Sequence, residues 1–379
     1  MRIGIVTGEY PPMQGGVGAY TRILADEMKH QGADISIFTS EQAATSDPDI
    51  VVMNWMKSWD VSILSLIDQW AREFKADIIN IQFQTAAYGM SPWIHFMPHF
   101  THIPIVTTFH DLRHPYLFPK AGGLRDWVVM HLAKSSAGVI VTNQEDYERI
   151  APVQHKKLIP IGSNIQKPLP HDFDAAKWRN KMGAAANDFV IAYFGLFNQT
   201  KGLETLLDSV ADLRKNRIPV RLVLVGGGLG SSDPTNEAYF ESLKAQIQRL
   251  GLVAFIHTTG YLEDETEVGV YLAASDVVAL PYSDGVSYRR GSLMAAIQYE
   301  CAIISTTPTI DIPAFQNGEN MLLVPSGDQN ALTAALDQLR QSPELRTHLR
   351  QGASKLKEQF NWTKLAQETL SFFEQVRAR

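Results

Sequence analysis

The sequence predicts an α/β protein made of two doubly wound, parallel-sheet halves, and three observations carry that expectation. Short apolar runs alternate with helical patterns along almost the whole chain. Several of the runs are continuous Val/Ile stretches, which suits strands covered on both faces. The alternation also breaks once, near the middle, and then starts afresh.

In the first half, strands are expected at 2–7, 34–39, 78–82, 105–108, 138–142 and 157–161, with helices at 17–30, 63–74 and 123–133 between them. Two prolines within 166–170 and the small, polar run Ala184-Ala185-Ala186-Asn187-Asp188 mark a connector. A new strand is expected at 189–194 and a helix from Gly202, followed by strands at 221–225, 255–258, 276–280, 302–306 and 321–324. Helices fall at 237–250, 265–274, 291–299 and 330–340. Ser342-Pro343-Glu344 starts a further helix with proline at its first position, and helices over 344–359 and 363–379 finish the chain.

The 379 residues suit two to three domains, and a hydrophobic share of 45% is enough for sizeable cores. With 34 Lys and Arg against 40 Asp and Glu, the formal charge of −6 excludes nucleic acid as the main partner, because phosphate backbones need a basic face. The single cysteine, Cys301, forbids an intrachain disulfide and fits a reducing compartment. No secretory signal pattern opens the sequence, and no window approaches the ~18 apolar residues of a membrane span, so a cytoplasmic protein is expected. In that setting the sequons at Asn198 and Asn361 carry no glycosylation meaning.

Open α/β sheets bind ligands at the carboxyl ends of their strands, so the informative residues are those on the loops after strands. The first such loop runs from Gly8 to Gly18 and holds Gly15 and Gly16 where a helix begins. Its glycines would let backbone N–H groups approach a phosphate, or would serve backbone geometry alone. It lacks the G-x-G-x-x-G spacing of a dinucleotide site, and no ribose-binding acid follows it, which counts against a nicotinamide dehydrogenase. Thr107-Thr108-Phe109-His110-Asp111 ends a strand; His110 would hydrogen-bond a sugar hydroxyl or satisfy a strand-end backbone group.

In the second half, Gly195 through Gly202 ends one strand and opens a helix, placing Lys201 where its ammonium would meet a diphosphate or stand solvated at the surface. Gly226-Gly227-Gly228-Leu229-Gly230 reads mainly as a flexible turn. The loop of 280–295 is the most informative. It offers Asp284, Ser287, Tyr288, Arg289, Arg290, Gly291 and Ser292 in one short stretch, fitting a sugar hydroxyl on one side and a diphosphate on the other.

Taken in order, these motifs resemble the GT-B glycosyltransferases of family 4, and the resemblance covers nearly the whole chain. Pro11-Pro12 with Gly15-Gly16-Val17-Gly18 matches that family's first loop. Phe109-His110-Asp111 matches its histidine motif, and Ile159-Pro160-Ile161-Gly162-Ser163-Asn164 the loop that follows. Gly195 with Lys201-Gly202-Leu203-Glu204 resembles the donor-phosphate segment. Thr259-Gly260-Tyr261-Leu262 and Leu272 to Val278 resemble the nucleotide side, and Phe360-Asn361-Trp362 the start of the closing helix.

The resemblance implies two Rossmann-like domains facing a central cleft: an N-terminal acceptor domain over 1–168, a linker over 169–186, a C-terminal donor domain over 187–360, and a closing helix over 361–379 that packs back on the first domain. It implies a retaining, metal-independent transfer from a nucleotide sugar, which is a co-substrate; no cofactor is expected. Lys201, loop amides and helix N-termini would stabilise the leaving diphosphate. His110 would lie near the transferred sugar, Asp284 would hold its hydroxyls, and Gly16 would meet the donor phosphate. Gly15, Gly195, Tyr261, Ser287, Tyr288, Arg289, Arg290, Gly291 and Ser292 complete the donor site.

Two positions depart from the family pattern. An Arg usually follows the glycine at 195, where this chain has Leu196, and the second glutamate of the two-glutamate motif is Ser292. Arg289 or Arg290 would replace the lost cation from the other side. The departures also keep open a GT-B protein without transfer activity that binds a nucleotide or phosphosugar for regulation or assembly. The acceptor, a saccharide or a lipid-linked molecule, is expected against the N-terminal domain. There the aromatic segments 88–97 and 115–119 would give weak peripheral contact with the inner membrane face if exposed, or pack a core if buried.

Overall fold

A computed structural model of the protein describes residues 1–13, 15–43, 50–112, 122–227 and 234–379, with backbone alone at 122–125 and 234–237. The chain divides into two compact units: Met1–Asn164 together with Phe360–Arg379, and Ile165–Gln359.

The first unit is built from β1 (Arg2–Thr7), α1 (Gly16–His30), β2 (Asp34–Ser40), β3 (Val51–Met56), α2 (Ile63–Phe74), β4 (Ile78–Phe83), β5 (Ile105–Phe109), α3 (Gly122–Ser135), β6 (Gly138–Val141), α4 (Gln144–Arg149) and β7 (Lys156–Leu158). Its seven strands lie in the order β3-β2-β1-β4-β5-β6-β7, and every pairing is parallel. Order reverses between β1 and β4, so the loops after β1, β4 and β5 share one edge. Ile78, Ile79 and Ile81 of β4 are fully buried, as expected of a strand covered on both faces. Strand β3 has no counterpart in the sequence reading. It is an edge strand with Val51 and Trp55 exposed, so its apolar residues do not form the one-sided pattern that marks a strand.

The last helix, α12 (Trp362–Arg377), belongs to this first unit and packs on α1. Asn361 caps it, accepting from the Thr363 and Lys364 amides. The Trp362 indole donates to the Ser163 carbonyl at 2.7 Å, and a Cβ at Gly162 would lie 2.6 Å from the same indole. Two motifs two hundred residues apart are thus one packing contact. The glycine is there so that the ring can lie against the backbone.

The second unit comprises α5 (Ala175–Lys181), β8 (Phe189–Phe194), α6 (Leu203–Lys215), β9 (Val220–Val225), α7 (Pro234–Arg249), β10 (Ile256–Gly260), α8 (Glu265–Ala273), β11 (Val277–Leu280), α9 (Gly291–Gln298), β12 (Ile303–Thr306), β13 (Leu322–Val324), α10 (Gln329–Gln341) and α11 (Pro343–Lys357). Its six strands, again all parallel, lie in the order β10-β9-β8-β11-β12-β13, with the reversal between β8 and β11. The fold is therefore the two-domain, Rossmann-like α/β arrangement that the alternation predicts.

The stretch expected as a linker over 169–186 is part of this unit. Asp174 caps α5, Trp178 meets Tyr271 edge-on, and Arg179 donates to Asp276 and to the Asp188 carbonyl. Prolines and small residues hid a helix held by charge and one aromatic contact rather than by an apolar stripe. Both sequon asparagines are helix caps: Asn198 accepts from the Thr200 amide, as Asn361 does at α12.

Candidate functional site

In the first unit the loop after β5 begins with His110. Its amide donates to the Phe83 carbonyl at 3.0 Å, and its Nε2 lies 2.7 Å from Gln82 Oε1. Gln82 in turn donates to Asn80 at 2.5 Å, and Asn80 donates to the Val106 carbonyl and to Thr108 Oγ1. Asn80 and Gln82 stand two residues apart on β4 and so point to the same face. The ring of Tyr20 meets His110 edge-on at 4.7 Å and Trp362 at 5.1 Å. Burial pushes the His110 imidazole down to about 3, so at neutral pH it is an uncharged group that can hydrogen-bond but brings no positive charge. The isolated histidine of the sequence is thus anchored by Gln82, Asn80 and Tyr20. Two polar residues inside a run of isoleucines were the available signal for the first two.

The Gly8–Gly18 loop holds a contact that its glycines alone do not announce. Gly15 precedes α1 in an extended conformation, and Gly16 opens the helix with free space where a side chain would stand. The next two amides are taken: Val17 and Gly18 donate to Glu9 Oε1 at 3.0 and 3.2 Å. A carboxylate of the chain itself thus sits at the positive end of the helix, on the two amides that follow Gly16. A Cβ at Gly15 would collide with that same carboxylate, so this glycine makes room for Glu9.

In the second unit the loops after β8 and β11 are stitched together. The Ser283 amide donates to the Thr200 carbonyl at 3.1 Å and its hydroxyl to the Gln199 carbonyl at 3.2 Å. Gly202 adopts φ +64, and a Cβ there would strike the Pro281 carbonyl. These contacts bring Lys201 to Tyr282, whose ring is fully buried. The Lys201 ammonium lies 5.2 Å from the centre of that ring and the Arg290 guanidinium 4.5 Å. Arg290 also pairs with Asp284. Burial, then the nearby Arg290 charge, pulls the Lys201 ammonium down to about 8 against the opposing pull of Asp284.

Lys201, Asp284 and Arg290 are therefore one cluster. Ser292, buried in the first turn of α9, lies 2.7 Å from the Tyr282 hydroxyl, and a Cβ at Gly195 would stand 3.7 Å from Ser292. Gly195 has φ +137, which asks for glycine. Burial raises the Tyr282 phenol to about 12, so it stays protonated. Leu196 is 49% exposed. The Ser287 carbonyl accepts from the Arg290 amide, and Tyr288 packs edge-on against Phe315 at 5.2 Å rather than standing free. Arg289 is half-buried, and Gly291 is exposed at the start of α9. Tyr261 follows edge strand β10 and is 62% exposed.

Of the aromatic segment 88–97, Tyr88, Ile94, His95 and Met97 are buried while Trp93 is exposed, which favours packing for most of it. Segment 115–119 and Gly228 to Gly230 lie outside the described residues. No helix among the described residues is long and apolar enough to cross a membrane.

The profile of the glycosyl transferases group 1 family matches residues 174–356, and that of glycosyltransferase family 4 matches residues 14–162. The chain belongs to the GT-B glycosyltransferases of family 4. It is similar to the alpha-monoglucosyldiacylglycerol synthase of Streptococcus pneumoniae, 24% identical over 73% of this chain and 65% of that protein, just under two thirds of the relative's length. The fold matches sucrose-phosphate synthase from Thermosynechococcus elongatus with a TM-score of 0.77 at 20% identity, covering 100% of this chain and 99% of the other. It also matches HepE of Anabaena, solved in complex with UDP, with a TM-score of 0.77 at 21% identity, covering 98% and 100%. Of the two residues read as departures from the family pattern, Ser292 borders the Lys201 cluster through Tyr282, and Leu196 follows Gly195, which faces Ser292.

Proposed function

We propose that this glycosyltransferase moves a sugar from a nucleotide-sugar donor to a saccharide, lipid-linked or small-molecule acceptor, with retention at the anomeric carbon and without a metal. The observation that carries this reading is the Lys201–Asp284–Arg290 cluster on the buried Tyr282 ring, which offers cations to a diphosphate beside a carboxylate for hydroxyls. Lys201 neutralises charge as the nucleoside diphosphate leaves, a role given to a metal ion in other transferases. Asp284 accepts from the hydroxyls of the transferred sugar, and His110, uncharged at neutral pH, is a hydrogen-bonding group that brings no charge. Tyr261 offers an exposed ring on which a base can stack. A UDP complex of HepE and the lipid-synthase name of the pneumococcal relative support a nucleotide donor and keep a lipid acceptor among the candidates.

The test is release of labelled sugar from UDP-glucose, GDP-mannose and other nucleotide sugars. Turnover should be lost in Lys201→Ala, be unchanged by EDTA, and give the α-anomer from an α-linked donor by NMR. A β product refutes retention, and loss of turnover in EDTA refutes metal independence. One observation favours a second reading: the Ser292 hydroxyl is committed to Tyr282. A binding protein without transfer would hold a nucleotide sugar tightly and neither hydrolyse nor transfer it.

A further inference from the structure

Arg290 has three features that a surface arginine lacks. Its side chain is 14% exposed, its guanidinium lies over the Tyr282 ring that Lys201 also faces, and its Nε is buried without a hydrogen-bond partner. A buried guanidinium with an idle donor is costly unless something accepts from it. Asp284 meets one terminal nitrogen, and that carboxylate also acts on Lys201, so one carboxylate faces two cations at this point. Burial first, and then the Arg290 charge, lower the Lys201 ammonium. Arg290 is also the residue just before α9, and its own side chain accepts nothing from that helix end, where the Tyr282 hydroxyl takes the Leu293 amide. Two crowded cations and an idle donor together ask for a compact polyanion.

We propose that Arg290 is the second cation of the diphosphate site, meeting the outer phosphate of the donor while Asp284 and the Tyr282 ring hold its fork in place. This deepens the reading of the protein as a nucleotide-sugar transferase and rests on it. A planar fork suits the paired oxygens of a phosphate, and the ring beneath restricts how it can turn. Leu196, exposed beside Gly195, brings no charge of its own there, and the second cation comes from the α9 side.

The experiment compares binding of UDP with UMP, and of GDP with GMP, by calorimetry in the full-length protein and in Arg290→Met. The ratio of the two dissociation constants isolates the outer phosphate. The wild type should prefer the diphosphate, and Arg290→Met should narrow that preference roughly tenfold or more, the loss of a charge-assisted hydrogen bond, while monophosphate binding changes little. A residue that merely supports the fold would weaken both nucleotides together and leave the ratio intact; that result, or an unchanged ratio, overturns the assignment. If Arg290→Met does not fold, Arg290→Lys reads the same ratio. Losing the fork while keeping the charge narrows the ratio, and an unaltered ratio overturns the assignment. Failure of the wild type to bind either nucleoside diphosphate would instead sink the transferase reading, and this assignment with it.

Discussion

Lys201 and His110 show how one physical cause, burial, gives two residues opposite uses. The Lys201 ammonium is held down to about 8 yet stays charged at neutral pH, where it can meet a diphosphate. Above about 8 it loses its proton in the folded protein, while the unfolded chain keeps it to ~10.4. Folding therefore gains stability as pH rises from about 8 through that window, whereas anion binding weakens over the same range. UDP affinity should fall above pH 8 in the wild type and stay nearly flat in Lys201→Arg; equal pH profiles would remove Lys201 from the phosphate site. His110 runs the other way in function because it is neutral. Its folded value of about 3 lies below the unfolded 6.5, so its contribution is complete above 6.5 and is lost as pH falls toward 3. The melting temperature should drop between pH 7 and 4.5, and the drop should be smaller in His110→Gln.

At the level of elements, glycines mark where segments close in sequence to the site are pressed against others far from it. Gly202 is in the left-handed region with the Pro281 carbonyl against its Cα, so Gly202→Ala must both strain the backbone and part the two loops that align Lys201 with Asp284. A loss of more than about 1 kcal/mol is expected from denaturant melts, together with weaker UDP binding; unchanged binding would mean that the stitching of the loops does not align the cluster. The contact of Trp362 with Gly162 and Ser163 ties α12 to the loop after β7. Trp362→Ala should cost about 3–5 kcal/mol of stability in denaturant melts, as for other buried large aromatics. Because Tyr20 lies between Trp362 and His110, the same variant should also alter the His110 ring signals in an NMR titration.

At the level of the whole molecule, the two units each carry their own core and parallel sheet, and the Lys201–Asp284–Arg290 cluster lies wholly within Ile165–Gln359. A nucleoside diphosphate that binds the folded chain alone should stabilise it by about 2.7 kcal/mol at a hundredfold excess over its dissociation constant. A thermal-shift series over UDP, GDP and ADP would then rank the bases by affinity, with uridine alone giving little shift; equal shifts from uridine and UDP would mean that the phosphates are not the main anchor. With a net charge of −6 and no helix among the described residues able to span a bilayer, attraction to anionic lipid has no support in overall charge.

By itself the sequence determined the α/β class, two sheets, most strand positions, the family and the residues His110, Lys201, Asp284 and Arg290 as candidates. These are local properties: apolar runs of strand length, glycines at turns, and polar residues on the loops that follow. Edge strand β3 and helix α5 escaped because half-exposed apolar residues and ion pairs leave no periodic pattern. Only the tertiary structure decided which candidates act together. Register at the sheet edge and the bonds from Ser283 to the 198–202 loop join Lys201 to a partner eighty residues on. The same level of structure filled the positive end of α1 with Glu9, anchored His110 through Gln82 and Asn80, and committed Ser292 to Tyr282. The reason is physical. A residue type tells what a side chain can do, but burial and the partner within about 3 Å decide its charge and whether its hydrogen bonds remain available.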